Sequence, residues 1–538
     1  MLLADAGSGL LLAGLALALF AGVLSLWAGA RGDGVLAWAG RRCVYAAAAA
    51  VVGASACLVA ALLSHDFVIA YVAEHTDRET WTPLVAAAFY GGEEGSLLYW
   101  TLVLSVFGAA SVAAARGVRQ PLPAYAAGVL GLLLTFFLTV LVFVSNPFGV
   151  LSFVPADGVG LNPILRDGGM LVHPPFLLAG FSSFGVPFTF AMAALLAGRA
   201  DAGWIRHTRR VALVAWGLQS VGLTLGMWWA YHVLGWGGYW GWDPVENVAL
   251  LPWLATTAYL HSSQVQERRG MLKAWNFSLV ILAFCLSIFG TFVVRSGVIQ
   301  SVHSFAVSPI GPWFLGLLAA SVAASGGALA LRSGLLRSEA RLDSPVSREG
   351  AFLLNNILLV GAVAAIFWGT VLPLVSAAVS GQQEVVGASF YEKAAGPIFL
   401  ALFAVLAAGP LLPWRRAGRA WRRNLRYPAL AAAGTLAALW VAGARQPAAL
   451  AAGPVLAAAL TTSLAEFVRG ARYASRRPGP WPRAAARLLA GNRRRYGAYL
   501  AHVGIVLAAA GIAGSHIWQR TDAVYLRPGQ AVTVAGYR

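Results

Sequence analysis

The sequence has 538 residues, of which 59% are hydrophobic and 11% are charged, with a formal net charge of +18. This composition excludes a water-soluble globular protein and indicates a polytopic membrane protein. The three cysteines lie in apolar runs and form no C-x-x-C pair, which argues against thiol redox chemistry.

About fourteen stretches reach the roughly 20 mostly apolar residues that a membrane-spanning helix needs. Residues 1–516 are therefore predicted to form an all-α transmembrane bundle. The first residues lack the basic start of a cleavable signal peptide, so we expect the first span to remain as an anchor. The predicted spans are 8–28, 43–63, 96–115, 124–145, 173–197, 209–229, 248–266, 274–294, 311–331, 350–378, 395–413, 428–443, 447–465 and 497–516.

The charge of the loops predicts the orientation of these spans. If the N-terminus lies outside, the loops that face the cytoplasm contain 31 of the 39 Lys and Arg residues, as the positive-inside rule requires. The excess of basic residues thus reflects the membrane topology, and it also predicts some affinity for anionic membrane lipid. It does not indicate binding of nucleic acid.

Two short motifs precede predicted spans on the outer side. Residues 90–96, YGGEEGS, lead into the third span and place Glu93 and Glu94 between glycines. Residues 162–175 lead to His173 at the mouth of the fifth span. The sequence offers no role for the two glutamates beyond lining an outer chamber.

The stretch 231–247, YHVLGWGGYWGWDPVEN, lies in the outer loop between the sixth and seventh predicted spans. Its glycines let the backbone approach a flat object closely. Its rings Trp236, Tyr239, Trp240 and Trp242 offer large rigid faces. The alternative is an aromatic belt at the membrane surface, but a belt needs neither the glycines nor the acidic residues that follow. We therefore predict an aromatic shelf for a planar ligand.

The end of this stretch predicts a helix start. Asp243 stands at the N-cap position, Pro244 at the first helical position and Glu246 at the third. Capping the next helix is one complete explanation of both carboxylates. Capping combined with support of the shelf is the other, and neither carboxylate looks like an acid catalyst.

A further motif, residues 290–303, follows the eighth predicted span and contains Arg295 and His303. Neutral imidazoles such as those of His173 and His303 are suitable axial ligands of haem iron. An interfacial histidine that is only hydrogen-bonded is the alternative for each. Arg295 fits two roles, a side chain that reaches the membrane interface or a partner of a haem propionate.

Two histidines are predicted to lie inside the membrane. His261 is about 20 Å deep from the outer side and His502 about 8 Å from the inner side, at 1.5 Å per helical residue. These depths nearly coincide in a hydrocarbon core of about 30 Å. Ionisable residues at such depths usually serve a function. The pair would then hold a haem between helices, whereas two separately packed histidines are the alternative.

Residues 236–247 resemble the tryptophan-rich WWD signature of haem-handling proteins, and the chain from about residue 80 to 516 resembles the CcmF/NrfE family of cytochrome c biogenesis. Family members often have tryptophan in place of Tyr239 and a bulky residue in place of Gly241. The resemblance implies a haem lyase whose site residues are His173, His303, Trp236, Tyr239, Trp240, Trp242, Asp243 and Arg295. It also implies that His261 and His502 hold a permanent b-type haem as an electron relay.

The same resemblance implies partners and a location. The substrate haem would come from the haem chaperone CcmE, and the acceptor would be the C-x-x-C-H segment of apocytochrome c. A CcmH-type thiol-handling subunit and a quinol donor are implied likewise, at the periplasmic face of a bacterial inner membrane. A haem transporter and a membrane scaffold are the alternative functions.

The chain ends early for this family. Members usually continue past the position of His516 into an external segment and a further membrane helix, whereas this sequence stops at Arg538. Residues 517–538 are therefore expected to begin a periplasmic segment, and a truncated chain is one explanation.

Overall fold

The computed structural model describes residues 1–118, 120–234, 238–299, 301, 308–418, 420–474, 481–519, 524–534 and 536–538. Within these residues the backbone is helical apart from loops and two isolated β-bridges, which confirms the all-α prediction. The α-helices, in chain order, are α1 Leu2–Arg31, α2 Gly34–Leu63, α3 Ala70–His75, α4 Thr82–Ala87, α5 Glu93–Ala114, α6 Leu122–Phe143, α7 Gly169–Ser183, α8 Gly185–Leu196, α9 Ala202–Val233, α10 Pro244–Arg269, α11 Lys273–Ser296, α12 Gly311–Leu331, α13 Arg348–Ser380, α14 Ala388–Ala394, α15 Gly396–Ala408, α16 Ala420–Asn424, α17 Arg426–Val441, α18 Pro447–Ala474, α19 Trp481–Gly491 and α20 Arg493–Trp518. Short 3-10 helices cover Ala88–Tyr90, Ala115–Gly117, Pro163–Leu165, Ser333–Leu336 and Gly409–Leu411.

Each predicted span coincides with helical structure, which confirms a multi-pass membrane protein. In the described part of the chain, eleven helices are long and apolar enough to cross a membrane, or twelve if the bent pair Ala388–Ala394 and Gly396–Leu411 forms one span. The predicted spans 248–266 and 428–443 correspond to α10 and α17, which do not meet these criteria. The 16 residues of α17 are too few, and α10 is too polar. These two crossings and the orientation stay predictions.

The polar residues of α10 are buried against its neighbours. Asn276 of α11 donates a hydrogen bond to the Gln266 side chain at 2.8 Å and accepts one from Ser262. Gln219 of α9 donates to the carbonyl of Ala249 at 2.9 Å. Polar side chains inside a helical bundle are tolerated when neighbouring helices satisfy them, which explains how α10 can be long, buried and low in hydropathy.

The chain divides into two compact units. Unit 1 consists of residues 1–229, 242–341 and 359–395. In this unit α1 packs on α2 and α6, and α11 packs on α10 and α12. Fully buried large side chains fill its interior, among them Trp204, Tyr259, Phe137, Phe284 and Phe314.

Unit 2 consists of residues 230–241, 342–358 and 396–538. Here α18 packs against α15, α17 and α20, around a small cluster of Ala407, Leu456, Ala459 and Val506. One corner of the unit is fixed by Arg348, whose guanidinium donates to the carbonyls of Leu412 at 3.0 Å and Pro410 at 2.9 Å. Small residues let these helix backbones approach closely.

The contact between α1 and α6 depends on glycine. A Cβ atom at Gly131 would lie 2.4 Å from the backbone nitrogen of Gly22 and 2.9 Å from the carbonyl oxygen of Ala18. We expect Gly131→Ala to lower the melting temperature of the purified protein, because overpacking against backbone costs about 1–3 kcal/mol. The same change at Gly9 of α1, where a Cβ meets nothing within 4 Å, should not. Equal melting temperatures for the two variants would contradict this account.

Candidate functional site

The loop between α9 and α10 ends in a fully formed helix cap. The Asp243 carboxylate accepts from the backbone of Val245 at 2.9 Å, and the Glu246 carboxylate accepts from the backbone of Asp243 at 3.3 Å. The predicted capping box is thus confirmed. Ser301 also donates to Asp243 at 2.7 Å. Asp243 therefore links the start of α10 to the segment that follows α11.

Trp242, next to this cap, is held on both its ring and its backbone. Its φ of +57° lies in the left-handed region, which non-glycine residues rarely adopt. The carbonyl of Trp242 accepts from the fully buried Asn247 at 3.2 Å. Its ring stacks on Tyr391 of α14, with 5.1 Å between centroids and 7° between planes. The ring of Trp242 is thereby fixed in one orientation within unit 1.

The preceding part of the loop belongs to unit 2. The ring of His516 on α20 hydrogen-bonds through Nε2 to the carbonyl of Trp240 at 2.8 Å, and because a carbonyl only accepts, Nε2 must be the donor. The rings of Tyr231 and Tyr239 stack at 4.4 Å and 17°, and Trp240 is buried. Within the described part of the loop, Trp240 is therefore packed and the two tyrosine rings stack on each other.

His173 lies in the first half of α7 and faces α9. Its Nδ1 lies 2.8 Å from the carbonyl oxygen of Gly222. Since Nδ1 must donate this bond, the lone pair of the neutral imidazole is on Nε2, the arrangement found in histidines that ligate metals. The ring of Trp229 lies 5.6 Å from that of His173. This donor set fits a haem-iron ligand.

The approach of α7 to α9 depends on the glycines beside His173. A Cβ at Gly226 would lie 2.6 Å from Cε1 of His173, and one at Gly222 would lie 2.6 Å from the backbone of Leu177. Both positions are therefore restricted to glycine by backbone and ring atoms. The sequence pattern gave no reason to select them.

His261 sits in the middle of α10 with its tautomer fixed in the same way. Its Nδ1 donates to the carbonyl of Thr257 at 2.8 Å, so the lone pair of the neutral ring is on Nε2. The Thr257 hydroxyl accepts from the indole of Trp216 at 2.9 Å, and the indole of Trp253 donates to Ser220 at 2.8 Å. The two indoles stack at 5.7 Å. These contacts hold the turn of α10 that carries His261.

Three other predicted haem-binding residues lie in unit 2 or outside the described residues. His502 is half-buried on α20 in unit 2, whereas His261 belongs to unit 1. Their pairing on one haem stays a prediction. Trp236 and His303 lie outside the described residues, so their roles also stay predictions.

Glu93, Glu94 and Arg295 form one charged cluster in unit 1. The Arg295 guanidinium hydrogen-bonds to the buried Ser96 hydroxyl, and the charges of both glutamates act on it. Glu93 in turn accepts from Ser145 at 3.1 Å. The positive charge of Arg295 offsets part of the negative charge of the two carboxylates. A haem propionate as an additional partner of Arg295 stays a prediction.

Two tyrosines pack beside this cluster as neutral hydrogen-bond donors. The buried Tyr71 donates to the carbonyl of Ala88 at 2.7 Å and accepts from the backbone of Gly92 at 2.9 Å. Burial raises the pKa of Tyr71, and burial followed by the proximity of Tyr99 raises the pKa of Tyr90 to about 12. Both hydroxyls therefore remain protonated at physiological pH.

Three residues of these arrangements were missed from the sequence. All three position Trp242 or His173; Asn247 ends the WWD-like stretch but was given no role, and Tyr391 and Gly226 belong to no recognisable motif. Asn247 follows the capping box directly, which is a weak local signal. The other two act through tertiary contacts with distant segments, for which a single sequence carries no signal.

Comparison with known proteins gives a consistent result along the whole chain. The family model described as cytochrome C assembly protein matches residues 90–300. The cytochrome c-type biogenesis protein CcmF of Pseudomonas aeruginosa is 39% identical over 531 residues, which cover 98% of this chain and 80% of that protein. CcmF of Escherichia coli is 35% identical over 545 residues, covering 99% and 81%.

A solved structure, named Cytochrome c Heme Lyase CcmF, superposes with a TM-score of 0.74 at 32% identity and covers 95% of this chain and 76% of its own. Both the sequence and the fold of this chain are thus similar, over nearly the whole chain, to the same group of proteins. The chain belongs to the CcmF family of cytochrome c-type biogenesis proteins.

Proposed function

We propose that this protein is the haem lyase component of cytochrome c biogenesis. It would hold haem, as substrate, at a site on the periplasmic face formed by the loop 231–247 with His173 and His303. There the haem would be joined by thioether bonds to the C-x-x-C-H segment of apocytochrome c. The observation that carries the proposal is the fixed imidazole of His173, whose Nδ1 donates to Gly222 at 2.8 Å and leaves the lone pair on Nε2.

The residues of the site would act by positioning. His173 would ligate the haem iron, and the fixed ring of Trp242 would orient the porphyrin plane. Trp236, Tyr239 and Trp240 would complete the shelf, with Asp243 supporting it through the cap of α10. Arg295 would pair with a propionate. Holding the vinyl groups and the two thiols in register accelerates the addition without an acid or base residue.

A permanent haem is the second part of the proposal. His261 and His502 would hold a b-type haem within the membrane through their imidazole nitrogens. When bound, this haem would supply an electron that keeps the iron of the substrate haem in the reactive oxidation state. The bond from His261 Nδ1 to Thr257 supports this role, because it orients the ring and fixes the tautomer that a ligand needs.

The partners follow from the same proposal. The haem chaperone CcmE would deliver haem, a CcmH-type subunit would present the reduced thiols, and a quinol would reduce the membrane haem. The protein would work in the bacterial inner membrane among its lipids, with the loop 231–247 outside. The alternative function is a haem transporter, which would supply haem to all periplasmic haem proteins. A haem lyase is needed only for covalent attachment, so the two functions can be distinguished by experiment.

We would test the proposal in a bacterium lacking its own CcmF and expressing this chain. Two periplasmic reporters are measured, a C-x-x-C-H apocytochrome for covalent haem and a protein that binds haem b non-covalently. A haem lyase predicts that His173→Ala abolishes covalent haem while the non-covalent reporter still fills. Loss of haem from both reporters would contradict the proposal and favour the transporter.

A further inference from the structure

The short helix α14 carries a residue in direct contact with the loop 231–247. Tyr391 is buried, with 3% of its surface exposed. Its ring lies parallel to that of Trp242, with 7° between the planes and 5.1 Å between the centroids. A stacked aromatic pair restricts the tilt of both rings, since each presents a flat face to the other.

The backbone of Trp242 is held by a second contact. The side chain of Asn247 donates to the carbonyl of Trp242 at 3.2 Å. Tyr391 therefore packs against the ring of Trp242, and Asn247 bonds its backbone. Together the two contacts hold this left-handed residue at its ring and at its carbonyl.

The position of Tyr391 is itself fixed by its contacts with α13 and with Phe390. A Cβ at Gly369 of α13 would lie 2.8 Å from Cε1 of Tyr391 and 2.6 Å from Cε1 of Phe390. Only glycine at 369 leaves room for both rings. Phe390 contacts Tyr391 edge-on, with 5.3 Å between centroids and 86° between planes. The support for Trp242 therefore extends through α14 to α13.

We propose that Tyr391 is a positioning residue for haem at the outer site, acting through Trp242. This inference rests on the proposed function, because it assigns Tyr391 to the binding of the substrate haem. Tyr391 would set the plane on which the porphyrin stacks, without contacting the reacting atoms. Its ring should matter more than its hydroxyl, since the ring makes the parallel contact.

The test is titration of the full chain, purified in detergent with its resident haem, with haemin as the probe. Tyr391→Leu removes the stacked ring and should raise the Kd of haemin by about 3- to 10-fold, the range expected for one aromatic pair. Tyr391→Phe keeps the ring and should stay within about twofold of wild type. Ser389→Ala, on the same helix but exposed and outside the stack, is the matched control.

Two further measurements keep the test independent of folding. Gly369→Ala should weaken haemin binding in the same direction by displacing the Tyr391 ring, whereas Gly387→Ala, where a Cβ meets nothing within 4 Å, should not. Tyr391→Leu added to Trp242→Leu should have no further effect, because the two act as one unit. The spectrum of the resident haem reports an intact bundle.

The outcomes separate the two proposals. If the wild-type chain binds haemin with a Kd that His173→Ala does not change, the proposed function fails. If His173→Ala weakens binding but Tyr391→Leu and Gly369→Ala do not, only the role of Tyr391 is overturned. Equal weakening by Ser389→Ala would likewise overturn it, since that change leaves the stack in place.

Discussion

His261→Ala is expected to remove the proposed b-type haem from the purified chain, and with it the attachment of haem to apocytochrome c. Loss of an orienting partner of a metal ligand already costs about 10- to 100-fold in affinity, and loss of the ligand itself should cost at least as much. We expect haem per protein to fall at least tenfold on this scale. The measurement is haem stoichiometry with oxidised and reduced absorption spectra.

The control for this variant is His65→Asn. His65 bonds through Nε2 to the carbonyl of Asp77 at 3.1 Å, far along the chain from both proposed ligands. Its φ of +51° is tolerated by asparagine, so this variant should keep both haem and spectrum. His502→Ala should match His261→Ala. An unchanged haem content in His261→Ala, in protein that remains folded, would refute the proposed relay.

Gly226→Ala is expected to reduce covalent haem attachment by about 10- to 100-fold, comparable to the loss of a group that orients a metal ligand. The added methyl group would lie 2.6 Å from Cε1 and 2.8 Å from Nδ1 of His173. The imidazole must then move and give up its bond to Gly222. Haem attachment to a reporter cytochrome is the measurement, and the haem on His261 should remain.

Gly217→Ala supplies a matched control on the same helix. A Cβ at Gly217 meets nothing within 4 Å, and alanine favours the helix by about 1 kcal/mol over glycine. This variant should therefore attach haem at the wild-type rate. Equal rates in the two variants would show that the space beside His173 is not critical, and the proposed role of its orientation would have to be given up.

Features that depend on neighbouring residues in the chain were predictable from the sequence. The capping box at Asp243 involves four consecutive residues, so its chemistry is visible in the order of side chains. Membrane spans are visible because hydrocarbon requires about 20 apolar residues in a row. The limit of this rule is α10, several of whose polar residues bond to α9 and α11.

Contacts between distant segments were not predictable. Nothing in the sequence indicates that His516 binds the carbonyl of Trp240, 276 residues away. The ring of Tyr391 likewise reaches Trp242 only because α14 folds back onto the start of α10. Such pairings depend on how helices pack, and helix periodicity specifies which face is apolar but not which neighbour covers it.

The left-handed backbone at Trp242 and the packing of its ring act in opposite directions on the folding free energy. A residue with a Cβ costs roughly 1–2 kcal/mol in this conformation, whereas glycine adopts it without that penalty. Glycine at position 242 would also lose the stack on Tyr391, and an aromatic pair contributes about 0.5–1.5 kcal/mol beyond the burial of its area. A redesign that corrects the backbone torsion alone would therefore remove both this stabilising contact and the ring that the proposed chemistry needs. Thermostabilised versions of this protein should accordingly be chosen with position 242 held fixed.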